Sequence, residues 1–147
     1  MTVTGNRTGD GGTGGGISNE STAELRNTIL AGNAAGGIES DCHNTLTSKG
    51  YNLLQNVTGC VLAGDLTGNI TGRDARLGPL ANYGGPTWTH ALIPLGPAID
   101  AGSCVGLDGS PVTSDQRGAP RPQGHSCDIG AYEAAPPVFL YLPLVWK

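Results

Sequence analysis

The sequence predicts an all-β domain, a column of short strands stacked on one another. Three observations lead there: the glycine content, the scatter of those glycines, and a strand-and-corner pattern that returns. Glycine supplies 25 of 147 residues, well over the ordinary share of about 7%. Each glycine inside a helix costs roughly 1 kcal/mol, and glycines recur along most of the chain, leaving little room for long helices. The residues Thr2 to Asn6, "TVTGN", return as "TILAGN" at 28–33, with Gly5–Asn6 recurring 27 residues later at Gly32–Asn33. A coil of that length cannot bury its apolar side alone and must stack on a neighbour.

The elements follow in order. Between Gly14 and Asn33, "GGGISNESTAELRNTILAGN" reads as strands around Ile17, Ala23–Leu25 and Ile29–Leu30, with Gly and Asn at corners where left-handed backbone is tolerated. Residues 38–78 read as further coils with longer loops, holding strands near Tyr51–Leu54 and Val61–Leu62. Thr87–Ile93 and Ala98–Ile99 are later strands, set among turn-rich "NYGGPTW" and "IPLGPAIDAG". The chain thus divides into terminal coils (1–37), coils and a closing segment (38–135), and an apolar strand or attachment tail (136–147) ending "VFLYLPLVWK". That tail is too short for a membrane helix, which needs about 20 apolar residues, and Pro143 interrupts it.

Composition narrows the function. Hydrophobic residues make up 37% and charged residues 14%, so the chain folds rather than remaining disordered. Net charge is −4 with two lysines, Lys49 and Lys147, which leaves no basic stripe for nucleic acid. Cys42, Cys60, Cys104 and Cys127 contain no C-x-x-C pair, so structural disulfides are expected over a zinc site. Sequential pairing would close two loops worth roughly 3 kcal/mol each, although four cysteines allow three pairings. Disulfides imply an oxidising compartment. No basic and apolar leader follows Met1. The repeat opens in mid-pattern, so the expectation is the C-terminal part of a longer exported protein.

"GGGISNESTAELRNTILAGN" resembles the repeat of bacterial right-handed parallel β-helix surface proteins, including those with polymorphic-outer-membrane-protein-type repeats. "DCHNTLTSKGYNLL", "DARLGPLANYGGPTWTHALIPLGPAIDAG", "DQRGAPRP" and "CDIGAYE" are similar, in order, to blocks of the choice-of-anchor Q domain. Together these blocks span roughly residues 14–133. The resemblance implies the end of a right-handed parallel β-helix with a loop-rich, disulfide-stapled C-terminal cap, at a bacterial cell surface or secreted. It implies no defined reaction.

"GDGGTGGG" contains G-x-G-x-x-G at Gly9, Gly11 and Gly14 but opens no helix, so it reads as a flexible turn. Asp10 alone makes no calcium site. A polysaccharide lyase or hydrolase of this architecture would need acids and bases beside a groove. The acids here are Asp65, Asp74, Asp100, Asp108, Asp115 and Asp128, and the bases Arg73, Arg76, Arg117 and Arg121. They lie in turns, without D-x-D or D-D pairs. Within "SDQRGAPRPQGHSCDIGAYE", Asp115, Arg117, Arg121 and Asp128 are expected to form an ion-paired clasp. This clasp would satisfy the backbone groups that a stacked coil leaves open, with Cys127 tethered to Cys104. Tyr83 and Trp88 are candidate sugar-stacking rings, and His90 shares a strand face with Trp88.

The expected role is therefore non-catalytic: closing a solenoid that supports surface display, adhesion or attachment. A fragment of a pectate-lyase-like enzyme or a carbohydrate-binding module is the alternative. Expected partners are a cell-surface glycan or protein, and at the open N-terminal coil either the rest of a longer β-helix or another copy. No cofactor, metal, nucleic acid or transmembrane helix is expected.

Overall fold

A computed structural model describes residues 1–136. The strand or attachment tail expected at 136–147 lies, beyond Pro136, outside the described residues. Among the described residues there are thirteen strands and no helix.

The chain passes through one parallel sheet four times. Thr2–Thr4, Ile29–Ala31, Leu53–Leu54 and Ile70–Thr71 lie side by side in that order. Thr2 stands opposite Ile29, Ile29 opposite Leu53, and Leu53 opposite Ile70. A second parallel sheet centres on Cys42–Lys49. Cys60–Asp65 lies along one of its edges, and Ile17–Ser18 and Glu24–Leu25 share the other. A third holds Arg7–Thr8 parallel to Ala34–Ala35, which turns back on Ile38–Glu39. The first sheet continues directly across residue 37, from Ile29–Ala31 to Leu53–Leu54.

Successive residues of a strand point to opposite faces, and here both faces are apolar. Leu30 and Leu54 face inward onto Leu25, Cys42 and Leu46. Ile29, Ala31 and Leu53 face the other way, onto Ala75, Leu92, Ala98 and Ile129. Ile29, Leu30, Leu53 and Leu54 are each 0% exposed. A sheet buried on both sides needs a cover on each, and the second cover is the C-terminal half of the chain. There Leu77–Ala81 and Thr89–Leu92 form an antiparallel hairpin, and residues 98–134 run on as turns. The closing segment, expected at the end of a column, instead lies along the side of the first sheet. Gly130 marks the closest approach: a side chain there would meet Ile29 Cδ1 at 2.7 Å and Thr2 Oγ1 at 2.8 Å, and its φ is +103°.

Corners are tied by asparagines. Asn6 N and Nδ2 both donate to Asn33 Oδ1, at 3.1 and 3.0 Å. Asn33 Nδ2 donates to Val3 O and to Asp41 Oδ1, at 3.0 and 2.8 Å. Asn52 joins three passes of the chain: its Oδ1 accepts Thr28 N at 3.1 Å, its Nδ2 donates to Leu25 O at 3.1 Å, and its backbone N donates to Asn69 Oδ1 at 2.8 Å. The disulfide Cys42–Cys60 staples adjacent strands of the second sheet.

Two local expectations need correction. Ala98–Ile99 is a turn, with Gly96 N donating to Ile93 O and Ile99 N to Gly96 O. Its apolar character reflects burial of Ala98 against the sheet. The glycine run is also more than a flexible turn. Gly9, Gly11 and Gly12 are exposed, but Gly14 and Gly15 are buried, and a side chain at Gly15 would collide with the backbone of Ala34.

Asn52 is 0% exposed, so truncating it strands a backbone donor and an acceptor, each worth about 1–3 kcal/mol. Asn52→Ala should lower the urea unfolding midpoint by the equivalent of about 2–4 kcal/mol, with an unchanged slope. A midpoint shift too small to resolve would remove the corner ties as a source of stability.

Candidate functional site

Residues 113–134 together with Asp100 build a dense polar cluster. Asp115 turns the chain at its own position, since Oδ1 accepts the backbone N–H groups of Arg117 and Ala119 at 2.8 and 3.0 Å. Its Oδ2 accepts Glu133 N at 2.9 Å and the Arg117 guanidinium at 2.9 and 2.7 Å. The same guanidinium donates to Glu133 O at 2.6 Å and lies 3.5 Å from the Tyr132 ring centroid, a cation–π stack.

Arg121 sits deeper, with its side chain 4% exposed. It donates to Asp128 O and Gly130 O at 2.9 and 2.8 Å, and its Nε stands 3.5 Å from Glu133 Oε2. Glu133, 0% exposed, accepts Gln123 N and Asp128 N, both at 3.0 Å. Asp128 accepts Asp100 N at 2.7 Å and Ala134 N at 2.6 Å. Cys104–Cys127 holds this segment to the loop at Ser103, which bonds Asn27.

The four-membered clasp therefore needs redrawing. Asp115 and Arg117 pair, but the charge of Arg121 is set against Glu133, and it reaches Asp128 only at the backbone carbonyl. The carboxylate of Asp128 is occupied by two backbone N–H groups. Nor do these groups satisfy the edges of stacked strands. Apart from Tyr83 O, reached by Arg117 at 3.4 Å, and Asp100 N, their partners lie within residues 113–134. The reason is length: a segment of tight turns exposes its own backbone groups, and the nearest polar side chains pair with them first. Glu133 was legible only as a third acid in the stretch.

Charge follows from this packing. Burial alone would raise the Asp115 carboxyl, but hydrogen bonds from Glu133, Arg117 and Ala119 outweigh it and hold it below the ordinary value. Burial pushes Asp128 up to about 6, and the nearby Glu133 and Asp100 add to the rise against hydrogen bonds from Ala134 and Asp100 N.

The remaining acids are spread out. Asp65, Asp74 and Asp108 each bond the backbone N–H two residues on, Thr67, Arg76 and Ser110, at 2.9 Å. Those bonds draw Asp65 and Asp108 below the usual carboxylate range. A cleft of about 490 Å³ passes Arg26, Leu107, Asp115 and Arg121, while Arg117 and Asp128 do not line it. Among the described residues no three His, Cys, Asp or Glu side chains converge as a metal set, and no helix is long and apolar enough to cross a membrane.

The two candidate rings part company. Tyr83 is half-buried and stands edge-on to Tyr132, with centroids 5.9 Å apart. Trp88 is 63% exposed and borders a second cleft with Thr2, Asn6, Thr89, His90 and Gln116. Comparison with known proteins finds no matching family model, no matching curated protein and no matching solved structure.

Asp128 generates a pH prediction. Between its ordinary value of 3.8 and about 6, the native carboxyl holds a proton that the unfolded chain has released. Its contribution therefore weakens stability as pH rises through that window, by up to roughly 2–3 kcal/mol in all. Asp115 acts oppositely, losing its contribution as pH falls below the ordinary carboxylate range. In urea titrations from pH 4 to pH 7, Asp128→Asn should abolish most of this decline, so the variant's deficit shrinks toward pH 7. Parallel stability curves for the two proteins would refute the assignment.

Proposed function

We propose that this chain is a non-catalytic structural module of an exported bacterial β-helix protein, one that supports surface display, adhesion or attachment. The stacked strands are read as coils of a right-handed parallel β-helix. Support comes from the intervals between successive strands of the first sheet and from the strong preference of parallel crossovers for the right-handed form. The C-terminal segment is read as a sealing strap that keeps the outer face of that sheet dry. Two disulfides and an all-β fold are consistent with a secreted domain.

One observation carries the reading. Every carboxylate and guanidinium of the strap is committed to backbone groups or to a neighbouring charge, chiefly of its own segment, and the most buried of them, Glu133 and Asp128, line none of the three main clefts among the described residues. A general acid or base needs an open face toward its substrate. The rival reading, a polysaccharide-active enzyme, would place chemistry at the cleft beside Asp115 and Arg121.

Arg121→Met separates the two. Removing one partner of a buried charge pair costs about 3–5 kcal/mol, so the strap reading expects a large fall in melting temperature. It also expects no unsaturated product when wild-type protein meets polygalacturonate with calcium. Release of unsaturated uronate ends, lost in Arg121→Met at unchanged melting temperature, would decide for the enzyme.

A further inference from the structure

The cleft beside Trp88, about 280 Å³ in volume, is assembled from three distant parts of the chain: Thr2 and Asn6 on the first pass, Trp88 to His90 on the hairpin, and Gln116 on the strap. Its chemistry is consistent along the wall. None of these side chains carries a formal charge with His90 neutral, so an anionic ligand would find no counter-charge among them.

Three acceptors are left over. Asn6 commits its Nδ2 to Asn33 Oδ1 at 3.0 Å, which leaves Asn6 Oδ1. His90 Nδ1 bonds Gly78 O at 2.8 Å. A carbonyl only accepts, so Nδ1 carries the proton and Nε2 is the acceptor in the neutral ring. Gln116 Nε2 donates to Thr87 Oγ1 at 2.8 Å and to Trp88 O at 3.3 Å, which steadies the tryptophan backbone and leaves Gln116 Oε1. Thr89 is 3% exposed and lines the cleft, but its hydroxyl is itself buried beyond a ligand's reach and has no hydrogen-bond partner.

A flat, exposed indole beside several acceptors, without charge, suits a ligand that has an apolar C–H face and many O–H donors. We propose that this cleft binds a neutral oligosaccharide, with the Trp88 ring against one sugar face and Asn6, His90 and Gln116 bonding its hydroxyls. The site extends the structural reading and does not rest on it.

The test uses the full chain in a Trp146→Phe background, so that fluorescence reports Trp88. Neutral cello-, manno- and xylo-oligosaccharides are titrated beside oligogalacturonate as the charged control. At least one neutral series should saturate the signal in the millimolar range or below, and the charged control should not. By calorimetry, Trp88→Ala should weaken binding about tenfold or more at unchanged melting temperature, and Trp88→Phe should retain most of it. Thr89→Val should hold or raise the melting temperature, because the buried, unpaired hydroxyl is gone. Absence of binding by every neutral series, preference for the charged control, or full binding by Trp88→Ala would each overturn the proposal. So would a concentration-dependent dimer that Trp88→Ala dissolves, which would assign the surface to a second copy.

Discussion

The whole molecule turns on one constraint: its first parallel sheet is apolar on both faces. A β-strand sends alternate side chains to opposite sides, and in "TILA" both sets are hydrophobic. Leu30 and Leu54 find partners inside the stack, on the strand Cys42–Lys49 and its neighbours. Ile29 and Leu53 find none there and would face water. Leu92, Ala98 and Ile129 remove that face from solvent, at roughly 1.5–3 kcal/mol for each large side chain buried. The C-terminal half is thus a requirement of the first half.

Sealing a face with turns carries its own difficulty. A helix bonds its backbone groups within itself and a strand bonds its neighbours, but a run of turns leaves many open, and unpaired groups near a core are costly. Residues 113–134 answer this with side chains. Asp115 and Glu133 collect five backbone N–H groups between them, and Arg121 and Arg117 bond three carbonyls of the same segment. The charges pair in the process, Asp115 with Arg117 and Glu133 with Arg121. Asp128 lies outside both pairs, and its carboxyl is accordingly the one whose affinity for a proton rises.

How much of this could be read from the residues differs by element. Strands at Ile17, Leu25 and Ile29 were legible because β-branched and apolar residues stand between Gly and Asn corners, and the corners themselves announce the asparagine ties. The longest strand, Cys42–Lys49, was opaque: Ser48 is buried in it and Asn44 and Thr45 are exposed, so no apolar alternation shows. Ala98 misled in the opposite sense, since burial on a turn leaves the same trace as burial on a strand. Among the site residues, Asp115 and Arg117 pair because they are two positions apart, a distance at which pattern is informative. The pairing of Arg121 with Glu133 depends on how the intervening turns fold back, which residue types alone do not encode.

The Trp88 cleft sits at the far end of that scale. Its wall joins residue 2 to residue 116 through the hairpin, and it exists only because the strap crosses the first sheet near Thr2, where Ala131 N donates to Thr2 Oγ1 at 3.0 Å. Sequence proximity favours Tyr83 as the partner of Trp88, since both flank the same turn. Packing decides otherwise: Tyr83 spends its ring on Tyr132, which Arg117 stacks from another side. The strap that seals the core therefore also selects which aromatic ring stays open to solvent. Its stabilising contacts and the geometry of the cleft are two consequences of a single crossing.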